Sequence, residues 1–431
     1  MISTKTLWRV ITTALIVLTV AGCNDVLRQF ITPVPSPGGD PAALSHAVVL
    51  STNPSGNGSD LHIDVSGDSV AGVVTVGPQP VFLGKSTNQV FVLNGDNTVT
   101  QYFALNVLGA QSPSVVTLPS GTVAEGGGFS NSGNFYVANG AGSDVSVIQA
   151  SVNAVTGTVA VGTRPVAVAG NNSSNKIYVV NHDSNDVTAI STTDNAVVAT
   201  IPMGAGANPI WGVMAPGGVH VFIVNSGDGI SAGSVSVIDT LLDKVIATIP
   251  VGVSPNYAVF ESKLQRLYVS NTGSSTISVI KANGTDLANG ILPTKIADIK
   301  IAGNAVSVAA LSDGTRVYAA LGGCPTGTNH TNIVQNVASC AGNQVSVIDA
   351  AALVEKGTIQ VGAGAVSIDA ASDASRVYVV GANAGNVSII RTADDTVLAT
   401  IPAPQQNLSC SNPASCPAGV TQIPFMVRVF P

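Results

Sequence analysis

Short apolar runs recur along most of the chain, and polar turns rich in Gly, Asn, Asp and Ser separate them. One complete unit consists of the runs 164–168, 176–181, 186–190 and 197–202. Val, Ile, Tyr and Thr dominate these runs and favour β-strands, whereas the residues between them favour tight turns. The pattern therefore predicts four short strands in each unit.

An aromatic residue in the second run marks each unit and sets the repeat length. Successive markers are 45, 42, 44, 46, 50 and 60 residues apart. Four strands in each period of about 40–45 residues is the spacing of a β-propeller, in which every repeat forms one four-stranded blade. The chain is therefore predicted to be all-β. The markers are Phe91, Tyr136, Tyr178, Phe222, Tyr268, Tyr318 and Tyr378.

Several runs resemble a known repeat. Tyr-Val-Ala-Asn at 136–139, Tyr-Val-Val-Asn at 178–181 and Tyr-Val-Ser-Asn at 268–271 are similar to the YVTN-family β-propeller repeat, and so are the runs 235–239 and 247–252. The resemblance extends from about residue 46 to the end of the chain and implies a propeller, often with seven blades in that family. The asparagine of the motif is lost at 318–321 and 378–381.

The two ends of the repeat region complete each other. The run 47–53 reads as a second strand without a first, followed by third and fourth strands at 61–64 and 70–77, whereas 422–429 reads as a first strand with nothing after it. Pairing the C-terminal strand with the N-terminal strands closes the ring and removes open sheet edges. This arrangement predicts eight blades, with seven as the alternative.

The start of the chain has the features of a targeting segment. Lys5 and Arg9 precede an apolar run of 11 residues at 10–20, which is too short to span a bilayer. Val20-Ala21-Gly22-Cys23 then resembles the lipobox of bacterial lipoproteins, which implies cleavage before Cys23 and lipid attachment to its thiol. The alternative is an ordinary signal peptide with an incidental cysteine.

These features divide the chain into three parts: a lipoprotein signal peptide at 1–22, a lipidated Cys23 with a tether rich in Pro and Gly at 23–45, and the propeller at 46–431. The tether is predicted to be extended and solvated because four prolines lie within 32–41. The predicted location is the bacterial cell envelope, with a lipid anchor in a membrane, favouring the outer membrane, and the propeller facing the periplasm or the exterior.

Composition limits the partners. Hydrophobic residues make up 45% of the chain and charged residues only 10%, with a formal net charge of −7 that becomes −9 when Lys5 and Arg9 are removed. An acidic chain of this kind does not favour nucleic acid or an anionic membrane surface. Membrane contact is therefore expected only through the lipid anchor.

Four further cysteines lie in two local pairs, Cys324 with Cys340 and Cys410 with Cys416. An even number in an exported chain favours disulfides, and local pairing is the connectivity we choose among three. The rival interpretation is a metal site, which is disfavoured because neither pair has CxxC spacing.

The sequence contains few signs of catalysis. No CxxCH motif is present, and Trp211 is the only tryptophan after the signal segment, so neither haem nor quinone is expected and no cofactor is predicted. His62, His182, His220 and His330 are scattered, and Asp183 and Asp186 do not fit a calcium loop. We therefore predict no catalytic residues and no metal ligands.

Two insertions are the candidate binding loops. The pair Cys324 and Cys340 lies between a second and a third strand, and Cys410 and Cys416 lie before a first strand, which places both on one face of a propeller. Binding residues concentrate on loops that a rigid scaffold supports. The sequence thus favours a non-enzymatic binding or scaffold propeller with a protein or glycan partner, the alternative being an extracytoplasmic hydrolase of the lactonase type. The candidate residues are Pro325, Asn329, His330, Gln405 and Asn407.

Overall fold

Thirty-two strands form eight antiparallel sheets of four in the computed structural model, which describes residues 45–53, 56–104, 113–171, 173–283, 291–325, 327–328, 333–404 and 422–430. Each sheet is one blade of a β-propeller, which confirms the predicted fold class and the count of eight. Blade 1 contains β1 (His46–Thr52), β2 (Asn57–Asp64), β3 (Ser69–Pro78) and β32 (Ile423–Phe430). Blades 2 to 4 contain β4 (Pro80–Lys85), β5 (Gln89–Asn94), β6 (Thr98–Phe103), β7 (Ser114–Thr117), β8 (Ala124–Phe129), β9 (Asn134–Asn139), β10 (Asp144–Gln149), β11 (Ala154–Ala160), β12 (Pro165–Ala169), β13 (Lys176–Asn181), β14 (Asp186–Ser191) and β15 (Val197–Pro202).

Blades 5 to 8 follow in chain order, with four strands each. They contain β16 (Pro209–Met214), β17 (His220–Asn225), β18 (Ala232–Asp239), β19 (Lys244–Val253), β20 (Pro255–Glu261), β21 (Arg266–Asn271), β22 (Thr276–Lys281), β23 (Thr294–Lys300), β24 (Ser307–Ala310), β25 (Arg316–Leu321), β26 (Gln344–Asp349), β27 (Val354–Gln360), β28 (Ala365–Ala370), β29 (Arg376–Gly381), β30 (Asn386–Arg391) and β31 (Thr396–Pro402). A short helix, α1 (Ile333–Asn336), and a 3₁₀ turn (Val337–Ser339) lie between β25 and β26.

The ring closes in the first blade. The strand β32 pairs antiparallel with β1, which brings Val427 opposite Val49 and Met426 opposite Leu50. The C-terminal strand is therefore the innermost strand of a blade whose other three strands come from the start of the propeller. The innermost strands contact one another all the way round, from β32 through β4 to β28 and back. This confirms the predicted closure.

The marker aromatics form the core between blades. All seven of them are fully buried, at 0% exposure, in the second strand of their blade. Burying a side chain of this size contributes on the order of 2–3 kcal/mol to the stability of the fold. The repeat that the sequence displays is therefore a repeat of inter-blade packing.

The asparagine of the Tyr-Val-x-Asn motif clamps the turn between second and third strands. In blade 4 the Asn181 amide donates to Asp186 at 2.7 Å and to Thr188 at 2.9 Å. The equivalent asparagines of blades 2, 3, 5 and 6 make the same pair of bonds. Blade 7 has Leu321 instead, and its connection is the long insertion, so it has no tight turn to clamp.

A second contact recurs where the marker aromatic of a blade is a tyrosine, and it joins that blade to the next. The Tyr178 hydroxyl donates to Asp243 at 2.7 Å, and Lys176 forms an ion pair with the same carboxylate at 2.6 Å. Asp243 has a positive φ of 50° in the turn between the third and fourth strands of blade 5, a conformation that Asp and Asn tolerate well. Blades 7 and 8 are joined in the same way by Arg316, Tyr318 and Asp395.

Two junctions depart from this pattern. Between blades 8 and 1, where the two ends of the propeller meet, Arg376 binds Asp68 through Nε and Nη2 at 3.1 Å, with side-chain exposures of 8% and 15%. Between blades 6 and 7, Leu353 occupies the turn position at a φ of 58°, and the buried Tyr268 hydroxyl has no hydrogen-bond partner among the described residues.

The connections define two faces of the disc. Loops from first to second strands and from third to fourth strands emerge on what we name the funnel face, which includes 86–88 and 215–219. Loops from second to third strands emerge on the opposite side, the insertion face, which includes 322–343. Because β1 is a second strand, the described chain enters the propeller on the funnel face. None of the helices in the described segments has the length and hydropathy needed to cross a bilayer.

Candidate functional site: the central funnel

The innermost strands of blades 2 to 6 enclose a cavity of about 510 Å³ that opens on the funnel face. This volume is in the range of small-molecule binding sites. Glycines, aliphatic residues and four aromatic side chains line most of it. The lining includes Lys85, Gly128, Val168, Trp211 and Tyr257.

Trp211 and Tyr257 form an aromatic pair in the wall of this funnel. Their ring centroids lie 4.9 Å apart with an interplanar angle of 34°, and the Trp211 indole donates to the Ala258 carbonyl at 3.3 Å. Both side chains are only partly buried. Adjacent innermost strands, β16 and β20, hold the two rings, so the pair is positioned by rigid elements.

The glycines at 126–128 allow close strand approach. A Cβ atom on Gly128 would lie 2.6 Å from the Val168 carbonyl oxygen, and one on Gly126 would lie 2.5 Å from the Val166 carbonyl oxygen. Real side chains cannot approach a carbonyl oxygen so closely, so β8 and β12 can lie side by side only because these positions are glycine. The three-glycine run is thus a packing feature of the funnel wall.

A second, narrow cavity of about 30 Å³ lies inside the ring, lined by the innermost strands of blades 6, 7, 8 and 1. Tyr257 lines both cavities. The two cavities therefore share this tyrosine, which borders a wide space on one side and a narrow one on the other. Ser307, Ser367 and Arg428 supply the polar lining of the narrow cavity.

Two cations of the channel have different environments. Lys85 lies 3.5 Å from the Asp369 carboxylate and donates to the Val429 carbonyl at 2.6 Å, so its charge is balanced. Arg428 donates from Nη1 to the Val427 carbonyl at 2.9 Å, and no carboxylate of the described chain forms an ion pair with it. Arg428 therefore keeps an unbalanced charge beside the narrow cavity.

Tyr257 and Arg428 are electrostatically coupled. Burial raises the pKa of the Tyr257 phenol, while the positive charge of Arg428 opposes that rise and Asp369 adds to it. The Tyr257 hydroxyl has no hydrogen-bond partner in the described part of the protein. Two donors thus face the same small space, and an acceptor placed there would satisfy both.

The insertion between β25 and β26 covers the other end of the channel. Cys324 and Cys340 form a disulfide, as predicted, and both are buried, at 3% and 0% exposure. Ile333 and Val337 are also buried, and Ile333 lines the narrow cavity. The sequence predicts a surface loop here, but the apolar side chains of Ile333 and Val337 belong to the core.

A polar pocket of about 240 Å³ lies beside the insertion, on the insertion face. Thr328 lines it, is 1% exposed and leaves its hydroxyl without a hydrogen bond among the described residues. Asn256, also in this wall, donates to the Val306 carbonyl at 2.8 Å. The pocket therefore lies between the insertion and the insertion-face ends of blades 4 to 6.

One of the predicted binding residues lies among the described residues, and the others lie outside them. Pro325 is exposed at the start of the insertion. Asn329 and His330 in the first candidate loop, and the second candidate loop with Gln405, Asn407, Cys410 and Cys416, lie outside the described residues, as does Cys23. The binding role of both loops and the second disulfide remain predictions.

A buried polar cluster joins blade 1 to blade 2. The Tyr102 hydroxyl donates to Asp60 at 2.6 Å, and His62 Nε2 lies 3.0 Å from the same hydroxyl, with the His46 ring 6.0 Å from the His62 ring. Burial raises the pKa of Asp60 to about 7, although the Tyr102 hydrogen bond opposes that rise. Burial, followed by the nearby His46, lowers the pKa of His62 to about 3.

This cluster resembles a proton relay but lines none of the cavities described above. All three members are at least 93% buried, so a substrate cannot reach them. Elsewhere, His182 pairs with its neighbour Asp183 at 2.6 Å on the insertion face. In the described ranges, no three His, Cys, Asp or Glu side chains gather as a metal site.

Sequence reasoning missed the funnel residues. In the sequence, Trp211 serves only as evidence that too few aromatic residues are present to hold a haem or quinone cofactor, and neither Tyr257 nor Arg428 stands out. The signal that was available is that each lies in a predicted innermost strand, where a large or charged residue has to face the channel or the neighbouring blade.

Comparisons with known proteins support the fold. No protein-family model matches the sequence, and no curated protein matches it. The dihydro-heme d1 dehydrogenase NirN, in complex with DHE, aligns with a TM-score of 0.64 at 12% identity over 88% of this chain and 77% of that protein. Apo AztD from Citrobacter koseri aligns with a TM-score of 0.59 at 11% identity over 90% and 98% of the two chains.

A hydrazine synthase from Kuenenia stuttgartiensis aligns with a TM-score of 0.55 at 16% identity over 73% of this chain and 96% of that one. Identities this low show a shared propeller fold and carry no function across. The resemblance to the YVTN family stays a prediction from the sequence.

Proposed function

We propose that this chain is an envelope-tethered, non-enzymatic binding protein that receives a ring-shaped ligand, such as the end of a glycan, in its central funnel. The observation that carries the proposal is the Trp211–Tyr257 pair, exposed within a cavity of about 510 Å³. Flat ligand rings bury apolar surface against such aromatic faces without requiring the protein to change shape.

The envelope location is supported by two observations. The Cys324–Cys340 disulfide suits an oxidising compartment. The lipobox-like segment before Cys23 predicts a lipid anchor on that cysteine. An anchor with more than one acyl chain holds a protein durably at a membrane.

Binding can be measured through the funnel itself. Trp211 is the only tryptophan that follows the predicted signal segment, so in the mature lipoprotein, purified in detergent, tryptophan emission reports the funnel alone. We expect cellobiose or N,N′-diacetylchitobiose to shift this emission in a saturable way, with a Kd in the millimolar range. Release of a hydrolysed product would instead support the hydrolase alternative.

The matched variants separate funnel binding from other binding. By calorimetry, Trp211→Leu should lose the heat of binding, whereas Leu241→Ser, at a position that is 84% exposed on the rim, should retain it. If no ring-shaped ligand changes the Trp211 emission or releases heat, the proposed function is wrong.

The anchor is tested separately. Cys23→Ser should move the protein from the membrane fraction to the supernatant, because the lipid is the proposed membrane contact. A Cys410→Ser variant is the control, since that cysteine is assigned to a disulfide, and it should stay with the membranes. Sedimentation of the Cys23→Ser protein with membranes contradicts the tether.

A further inference from the structure

We propose that Arg428 makes the funnel selective for ligands that carry a carboxylate on a ring, as a uronate does. The inference rests on the proposed function and adds the chemical class of the ligand. Three observations carry it: the unbalanced charge of Arg428, the unbonded hydroxyl of Tyr257, and the division of the channel into a wide and a narrow cavity.

The charge balance of the channel favours an anion. Lys85 and Asp369 neutralise each other. Near the insertion face, Glu125 is held by Arg164 at 3.3 Å. Arg428 has no carboxylate partner among the described residues, and one of its five N–H groups donates to a backbone carbonyl. A half-buried guanidinium without a counter-charge repels cations and gains most from an anion that brings two acceptor oxygens.

The cavity sizes indicate which part of a ligand goes where. The narrow cavity of about 30 Å³ is far smaller than the wide cavity of about 510 Å³. A carboxylate therefore suits the narrow cavity better than a sugar or aryl ring does. The ring belongs in the cavity of about 510 Å³, against Trp211 and Tyr257, so a ligand with its carboxylate directly on the ring spans the junction.

Tyr257 contributes twice at this junction. Its ring is half of the aromatic pair in the wide cavity, and its side chain also lines the narrow cavity beside Arg428. With the carboxylate bound to the guanidinium, the phenol is placed to donate a further hydrogen bond. A planar carboxylate matches the planar guanidinium fork, and inorganic phosphate has no ring to pack against Trp211 in the wide cavity.

The experiment compares an acid with its neutral amide. In the mature lipoprotein, Trp211 emission is titrated with glucuronate, glucuronamide, benzoate and inorganic phosphate. We expect glucuronate to bind at least tenfold more tightly than glucuronamide, and phosphate not to compete. Tighter binding of benzoate than of glucuronate would identify an aryl acid as the source of the same carboxylate chemistry.

Matched variants assign the preference to Arg428. Arg428→Gln should bind glucuronate and glucuronamide with equal affinity, because the charge that distinguishes the acid from the amide is gone. Arg391→Gln makes the same change in an exposed rim arginine and should keep the tenfold preference. If Arg428→Gln does not fold, Tyr257→Phe gives a second reading, a loss of about threefold to tenfold for glucuronate with none for glucuronamide.

The outcomes separate this inference from the proposed function. Equal binding of acid and amide by the parent protein, a preference that survives in Arg428→Gln, or competition by phosphate overturns the carboxylate site while ring binding stands. Failure of every ligand to bind overturns the proposed function itself.

Discussion

The buried cluster of Asp60, Tyr102 and His62 predicts opposite pH dependences for two single variants. Asp60 and His62 are each 0% exposed, and their pKa values are displaced in opposite directions, to about 7 and about 3. Asp60→Asn removes the first shift, and His62→Gln removes the second. Each variant keeps a polar group of similar size facing Tyr102.

The sign follows from the proton balance. The pKa of Asp60 is raised from 3.8, so its contribution to stability is full below pH 3.8 and is lost as the pH rises towards 7. The pKa of His62 is lowered from 6.5, so its contribution is full above pH 6.5 and is lost as the pH falls towards 3. Between about pH 4 and 6.5 the two proton differences cancel in the parent protein.

In each variant, one shifted group remains, and it alone makes the free energy of unfolding change with pH relative to the parent protein. A difference of one bound proton changes the free energy of unfolding by about 1.4 kcal/mol per pH unit. As the pH rises from 4.5 to 6, the free energy of unfolding of Asp60→Asn should therefore increase by about 2 kcal/mol relative to that of the parent protein. Over the same range, the free energy of unfolding of His62→Gln should decrease by about 2 kcal/mol.

Urea unfolding followed by circular dichroism at both pH values gives these free energies. Subtracting the parent protein at each pH removes the contribution of all other titrating groups. The double variant should again show no slope relative to the parent protein. Parallel pH dependences for the two single variants would refute the assignment of Asp60 and His62 as oppositely shifted groups.

Three further predictions concern how the ring is held. Asp68→Ala should lower the free energy of unfolding by about 3–5 kcal/mol because it leaves a buried arginine unpaired, whereas Asp394→Ala, in an exposed pair, should have a much smaller effect; equal costs would contradict the ring-closing role. Leu353→Asp should raise stability by about 1 kcal/mol because it suits the positive φ and accepts from Tyr268, and Tyr268→Phe should reduce that gain. Reduction of Cys324–Cys340 should cost about 3 kcal/mol by the loop-entropy estimate, measured by urea unfolding with and without dithiothreitol.

Much of the fold follows from interactions that are local in sequence. The clamp made by Asn181 lies within eight residues of chain, and each strand and turn is specified by a few neighbours. The closure by β32 was also predictable, because incomplete blades at the two ends leave complementary open edges. The insertion was placed correctly between β25 and β26, but its packing was not foreseen, since its apolar residues Ile333 and Val337 are too few to show a periodic pattern.

By itself, the sequence determined the repeat, the four-stranded blade, the eight-bladed closure and the Cys324–Cys340 disulfide, because alternation of side chains and turn chemistry act over short stretches. Only the tertiary structure decided which side chains meet on the ring axis. Tyr257 and Arg428 lie 171 residues apart in the sequence, and their meeting depends on the number of blades and on the rotation of each innermost strand. Neither quantity is encoded in the neighbours of these residues, so the candidate site emerges only when the ring has closed.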